Sequence, residues 1–346
     1  MRSLAGRAVA TVGLGDVSFT RAAARNHDPG EVVRRVHEAL EHAIDVIDVA
    51  AEPDVEVAVG EAVRAVRARD RAVIVTTVRL PDVRDVRAVR AQVDASLRTT
   101  RLDVMPLVQL PVRVAWLASS AWPELLGTCE RLVREGKVLA WGAVVDPGDT
   151  IAEAPPPPPE PVLAGFATTG SGLLVPSAET SSAAKPPLAH PLALPAFASL
   201  AIDFSLCARQ AAALLAISTH AIFAHRVLAG GALAGRLGPG AVLSRADDRR
   251  GIDLDAIALG VAKLARFVKR PPPAARASEA ARAIADTAKP VEHFECETLA
   301  ELALRYAIDR GALVLPRITR REDLHEAIAA ASAPPLSEDL MTALDT

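Results

Sequence analysis

The sequence predicts an α/β fold: one (β/α)8 barrel of the TIM type over residues 1–346, with a proline- and alanine-rich flexible insertion at 147–198 between strands five and six. Three observations predict it. Short apolar, β-branched runs recur eight times along the chain. Stretches with apolar residues at helical spacing separate most of them, as parallel neighbours require. The alternation breaks once, in the proline-rich stretch, and then resumes in the same style. That resumption favours an insertion over a linker between two domains.

Taken in order, residues 8–12 read as the first strand, and Gly13-Leu14-Gly15 as a tight turn after it. Asp28, Pro29 and Glu31 supply a cap, a first-turn proline and a capping-box acid ahead of Val32, Val33, Val36 and Leu40. Residues 44–47 form the second strand, and Asp54 caps a helix carrying Val55, Ala58, Val59, Ala62 and Val63 on one face. Strands at 72–78 and 102–110 flank a helix marked by Val86, Val89, Val93 and Leu97. A helix from Trp122 to Arg134 stops at Gly136 and leads into the strand at 138–145.

Twelve of the 26 prolines then fall between Asp146 and Ala198, where chain with so few helix-bonding donors reads as polyproline II. A sixth strand at 200–206, a helix at 208–217 and a seventh strand at 221–228 follow. A glycine-rich loop runs to Gly240. Helices at 254–268 and 297–309 precede the eighth strand at 313–316, and helices at 322–331 and 337–344 finish the chain.

The bulk properties exclude several function classes. A net charge of -3 and a pI near 6.3 leave no electrostatic case for nucleic acid. The three cysteines, Cys129, Cys207 and Cys296, are odd in number and widely spaced, which fits a reducing compartment without a disulfide framework. No run approaches the ~18 apolar residues of a membrane span, and the first residues lack an apolar signal core. The expectation is a soluble, cytoplasmic protein without a metal site, because no His, Cys or carboxylate spacing suggests one.

Four segments carry a resemblance. Ile47-Asp48-Val49-Ala50, followed by Glu56 and Gly60, is the first. Ala95-Ser96-Leu97-Arg98 ahead of Leu102-Asp103 is the second, and Glu135-Gly136-Lys137-Val138 with Gly142 the third. The last runs through Leu228 to Arg236, Leu299 to Arg305 and Leu313 to Ala327. Their order and spacing resemble the aldo-keto reductase superfamily over nearly the whole chain outside the proline-rich stretch. The resemblance implies a cytosolic NADP(H)-dependent carbonyl reductase using an Asp, a Tyr, a Lys and a His. In that chemistry a phenol of pKa ~10 becomes a competent acid because a cation stands beside it.

Carried over position by position, Asp48 matches the Asp, whereas Pro53 stands for the Tyr, Thr77 for the Lys, and Gln109 or Pro111 for the His. The only tyrosine is Tyr306, in the helix before the eighth strand. The family's Ser-Asn pair is Val144-Val145 and its strand-six Gln is Ala201. Phe204 falls where an aromatic stacks on the nicotinamide. At the phosphate end Gly230, Gly231, Gly235 and Arg236 match, and Arg320 stands where a basic residue meets the 2′-phosphate. The family's closing Gln and Asn are Asp323 and Ala327.

Three of four catalytic positions are therefore substituted. The expectation is a non-reductase member, a pseudoenzyme that binds a small-molecule ligand or a protein partner, with weak NADP(H) binding. Two alternatives remain open: an NADP(H)-dependent oxidoreductase with water near Asp48 or Glu52 as proton donor, and non-redox proton chemistry on Asp48, Glu52 or His225. Each residue also has a bland reading. Asp48 can be a relic or a cap for the following loop, Glu56 a helix-start carboxylate, His225 a satisfied rim histidine, Cys207 core, and Arg317, Arg320 and Arg321 a solvated helix start beside its amides.

Overall fold

A computed structural model describes residues 2–4, 6–15, 29–49, 52–145, 197–209, 212, 215, 220–238, 241, 254–272, 291 and 293–345. The 147–198 insertion lies outside them but for its last two residues, as do Asp28 and most of the 208–217 helix. The chain opens with an antiparallel hairpin, β1 (Arg2–Leu4) on β2 (Arg7–Val9). Seven strands then pair in parallel in chain order: β3 (Val46–Asp48), β4 (Val73–Thr77), β5 (Met105–Val112), β6 (Val138–Val145), β7 (Phe197–Asp203), β8 (Ala221–His225) and β9 (Leu313–Val314). These are barrel strands two to eight.

The first barrel place is filled a few residues later than the sequence suggested. Residues 8–12 are not the barrel strand, since Ala8 and Val9 belong to the hairpin. Val12 bridges Val314 and Leu14 bridges Ile47, so this short segment closes the ring between β9 and β3. Leu14 N–H donates to Val46 O at 2.9 Å, and Val314 N–H to Thr11 O at 2.8 Å. Gly13 and Gly15 are accordingly wall residues and not a turn. A Cβ on Gly13 would lie 2.6 Å from the Leu315 side chain, and one on Gly15 would lie 2.5 Å from Leu315 O. Glycine is what lets two strands approach that closely.

Helices cover the outside: α1 (Pro29–Glu41), α2 (Pro53–Ala65), α3 (Val86–Thr100), α4 (Val114–Leu117), α5 (Trp122–Arg134), α6 (Leu254–Leu264), α7 (Leu299–Asp309), α8 (Arg321–Ser332) and α9 (Glu338–Asp345). Pro53, not a residue following Asp54, begins α2; Glu52 is its N-cap in extended conformation, and the proline's fixed φ suits the first turn. Gly136, at φ 71, ends α5 as expected. Its N–H donates to Val133 O and that of Lys137 to Leu132 O, the pairing of a Schellman stop.

Two separate cores result. One lies between sheet and helices; the other fills the barrel with Val46, Val73, Val75, Leu107, Phe223 and Leu313, plugged by Leu4 and Val9 of the hairpin. Inward and outward residues alternate along every strand, as the pleat demands.

The Glu56 and Gly60 motif has a structural use. Glu56 is 3% exposed. Its carboxylate accepts hydrogen bonds from Thr76 Oγ1 (3.0 Å), Ser96 Oγ (2.6 Å) and Thr99 Oγ1 (2.5 Å), tying α2 to β4 and α3. One turn on, Gly60 lies against the end of α3, where a Cβ would stand 2.2 Å from Thr100 O. Gly60→Ala should therefore force the two helices apart and cost about 1–3 kcal/mol or more. A urea denaturation series reads this directly, and an unchanged midpoint would mean that α3 yields freely.

Candidate active site at the barrel mouth

The alternation places one set of side chains inside the carboxyl-terminal end of the barrel: Asp48 on β3, Thr77 on β4, Gln109 and Pro111 on β5, Val144 on β6, Asp203 on β7 and His225 on β8. Such strand ends carry the chemistry in folds of this kind. Asp48 is 1% exposed. Its Oδ2 lies 3.7 Å from His225 Nε2, on the far side of the strand that closes the ring. Thr77 Oγ1 donates to Gln109 Oε1 at 3.1 Å. Gln109 Nε2 and Ser199 Oγ, both fully buried, have no hydrogen-bond partner among the described residues.

A cavity of about 260 Å³ opens at this end. Pro111, Val112, Val144, Val145, Ala201 and Ile202 give it apolar walls, and Arg113, Asp203 and His225 are its ionisable side chains. Asp203 is drawn toward Arg226, whose Nε lies 3.4 Å from its Oδ2. The Arg113 guanidinium stacks 5.2 Å from the Trp116 ring centroid. Glu52, a candidate water-holder in the sequence, points instead to Arg79, which donates to its Oε1 at 2.8 Å. Pro53 is exposed on the first turn of α2.

Phe204 departs from its expected role. It follows the inward Asp203, so strand parity turns it outward, where it is 1% exposed and stacked on Tyr306 with centroids 6.0 Å apart. It lines no part of the mouth; its place near the cavity is taken by His225. Tyr306 is equally distant from the barrel interior, its hydroxyl donating to Asp345 Oδ1 at 2.7 Å. Burial, above all, and that bond raise its pKa.

After β8 the glycine loop makes a short 3-10 turn over Ala229–Gly231, with Gly230, Gly231 and Gly235 all at positive φ. Arg236 leaves this loop to grip Asp323 on α8 with both guanidinium nitrogens, one bond measuring 2.7 Å. Asp323, at the third position of α8, also reaches back to accept the backbone N–H groups of Thr319 and of the N-cap Arg320, each at 3.1 Å. Burial alone would push the Asp323 carboxyl up, but the Arg236 bond and these N–H donors hold it below the usual carboxylate range. The space among Arg236, Arg317, Asp323 and Glu326 is only about 10 Å³. Arg320, expected at a 2′-phosphate, is exposed at the N-cap of α8.

The sequence profile described as the Aldo/keto reductase family matches residues 11–154 and 182–346. The chain belongs to the aldo/keto reductase family. No curated protein matches it. Among solved structures, the holo form of an aldo-keto reductase from Bacillus halodurans superposes with a TM-score of 0.64 at 16% identity, covering 99% of this chain and 94% of that one. A glycerol dehydrogenase from Gluconobacter oxydans gives 0.64 at 16% identity, with coverage of 97% and 90%. An aldo/keto reductase from Klebsiella pneumoniae, in complex with NADP and acetate, gives 0.56 at 19% identity, again over 97% and 90%. At these identities the likeness is one of fold.

Asp48, Thr77, Gln109 and Pro111 lie on the inward face near the carboxyl ends of β3, β4 and β5, and Gly230, Gly231, Gly235 and Arg236 share one loop beside α8. Two relations escaped sequence reasoning: the approach of His225 to Asp48, and the pairing of Arg236 with Asp323. The second had a signal, since an acid replaces the family's Gln opposite a retained cation. Among the described residues no group of His, Cys, Asp and Glu could hold a metal ion, and no helix is long and apolar enough to cross a membrane. Burial pushes the thiols of Cys129 and Cys296 up to about 12 and that of Cys207 to about 11, so none is a nucleophile near neutral pH.

Asp323 yields a prediction with a definite sign. Its folded pKa lies below the unfolded one, so its stabilisation is present above the ordinary aspartate range and is lost as pH falls through the folded value. Thermal unfolding between neutral pH and strong acid should show Asp323→Asn lowering the melting temperature at neutral pH, with the gap to the parent closing in acid. A gap that stays constant would remove the ion pair as its cause.

Proposed function

We propose that this aldo/keto reductase family member binds a small molecule in its mouth cavity and does not perform the family's NADP(H)-linked carbonyl reduction. One observation carries the reading. The positions that the resemblance gives to Tyr, Lys and His hold an exposed proline, Pro53, a threonine, Thr77, and either the buried Gln109 or Pro111, and Thr77 donates to Gln109. A carbonyl bound there would meet no phenol and no lysine; Asp48 would be left without the groups it serves in the family.

The nucleotide end supports the same reading. Arg236, the cation best placed for a phosphate, is paired with Asp323, whose carboxylate also accepts the N–H groups of Thr319 and Arg320 just ahead of α8. A phosphate brought to Arg236 would therefore face a carboxylate. These residues do not fit a tightly held NADP(H).

A second reading, an NADP(H)-dependent oxidoreductase with water as proton donor, draws on the retained glycine loop and on the Klebsiella pneumoniae neighbour in complex with NADP. Calorimetric titration with NADPH separates the two. The proposal expects no saturation below ~1 mM, the upper end of ordinary KM values, and no NADPH oxidation with a panel of aldehydes and ketones. Asp323→Gln, which frees Arg236, should tighten NADPH binding about tenfold, or ~1.4 kcal/mol. Micromolar binding by the parent chain, with carbonyl-dependent oxidation, would establish the second reading instead.

A further inference from the structure

We propose that His225, positioned by Asp48, is a proton-transfer residue that enolises a small 2-oxo carboxylate held in the mouth cavity, without any nucleotide. The inference rests on the small-molecule reading above and names the substrate class of the same site.

The geometry of the pair comes first. Asp48 is buried inside the barrel, 3.7 Å from His225 Nε2. That nitrogen is itself buried and has no hydrogen-bond partner among the described residues. An Nε2–H turned toward the carboxylate leaves the Nδ1 lone pair on the other side of a ring that lines the cavity. A buried carboxylate that orients an imidazole base is the arrangement by which such a base is kept in one tautomer and its cationic form is stabilised. The gap of 3.7 Å is one that binding can tighten. Neighbouring Asp203, in register with His225 across β7 and β8, has its charge offset by Arg226.

The cavity wall then limits the chemistry. Among the described residues it presents no Ser, Thr, Cys, Lys or Tyr, and His225 is the side chain there suited to proton transfer. The walls also limit the substrate. Six apolar residues suit a short hydrocarbon body, and Arg113, at the rim, forms no ion pair among the described residues and offers a fork to a carboxylate. A carbonyl beside that carboxylate makes the adjacent C–H acidic enough for an imidazole to act on.

The step balances without a co-reactant. His225 Nδ1 takes a proton from the carbon next to the carbonyl. The C–H electron pair becomes the C=C bond, the C=O π pair moves to oxygen, and the oxygen takes a proton back from the imidazolium. Nothing is oxidised or reduced; reversal in heavy water leaves deuterium on carbon.

The test uses the full chain in deuterated buffer with 2-oxobutyrate, following loss of its C3 proton signal by NMR. The protein should accelerate exchange over buffer with or without NADPH, and His225→Gln should remove about 100-fold of that rate, within the usual range for a general base. Asp48→Asn should slow exchange about tenfold at saturating 2-oxobutyrate while leaving its dissociation constant unchanged, a split that a merely structural role would not produce. Arg113→Gln should raise the half-saturating concentration about tenfold. Parent protein that exchanges no faster than buffer, or His225→Gln protein that folds and keeps the parent rate, overturns the proposal. NADPH oxidation with carbonyl substrates would defeat the non-reductase reading alone, and the exchange result would stand independently of it.

Discussion

Parity around a closed ring of strands is the constraint on which the rest of this structure depends. Each strand points alternate side chains inward, and ring closure by residues 11–15 leaves no freedom to slip by one place without exchanging the two cores. Val46, Val73, Val75, Leu107 and Phe223 fill the centre, and one layer higher the same parity delivers Asp48, Thr77, Gln109, Asp203 and His225 to the mouth. The glycines at 13 and 15 permit the closure, because a side chain at either would meet Leu315. With the ring closed, Asp48 and His225 come within 3.7 Å although they leave different strands.

The helix layer packs on that ring through its apolar core, and buried polar contacts on α2 add to it. A glutamate with three hydroxyl donors is an economical way to bury a charge, since each donor replaces water at the carboxylate. The same contacts fix the start of α2, a helix that begins with Pro53. Glu56 and Gly60 of the motif thus serve packing.

Charge is distributed unequally between the two ends of the prospective ligand site. At the loop after β8, Arg236 is paired with Asp323, which also accepts the N–H groups of Thr319 and Arg320. At the mouth, a larger cavity meets an imidazole backed by a buried carboxylate and an arginine stacked on Trp116. Binding free energy is therefore available at the mouth and already spent within the chain at the nucleotide end.

Much of this was legible in the sequence. Strand and helix periods, the Gly136 stop and the ordered motifs established the barrel and its family, because each is written in windows of a few to a dozen residues. The substitution at 53, the absence of lysine from the third barrel strand and the single tyrosine were equally plain. Tertiary structure alone decided the remainder. Gly13 and Gly15 read locally as a turn until ring closure made them wall; Phe204 read as a site aromatic until parity, set by its partner strands, turned it toward Tyr306. Glu56 read as a helix-start acid until α3 and β4 brought it hydroxyls. The Arg236–Asp323 clamp and the His225–Asp48 approach join residues far apart in the chain, and their distances follow from barrel closure and register, which no local pattern encodes.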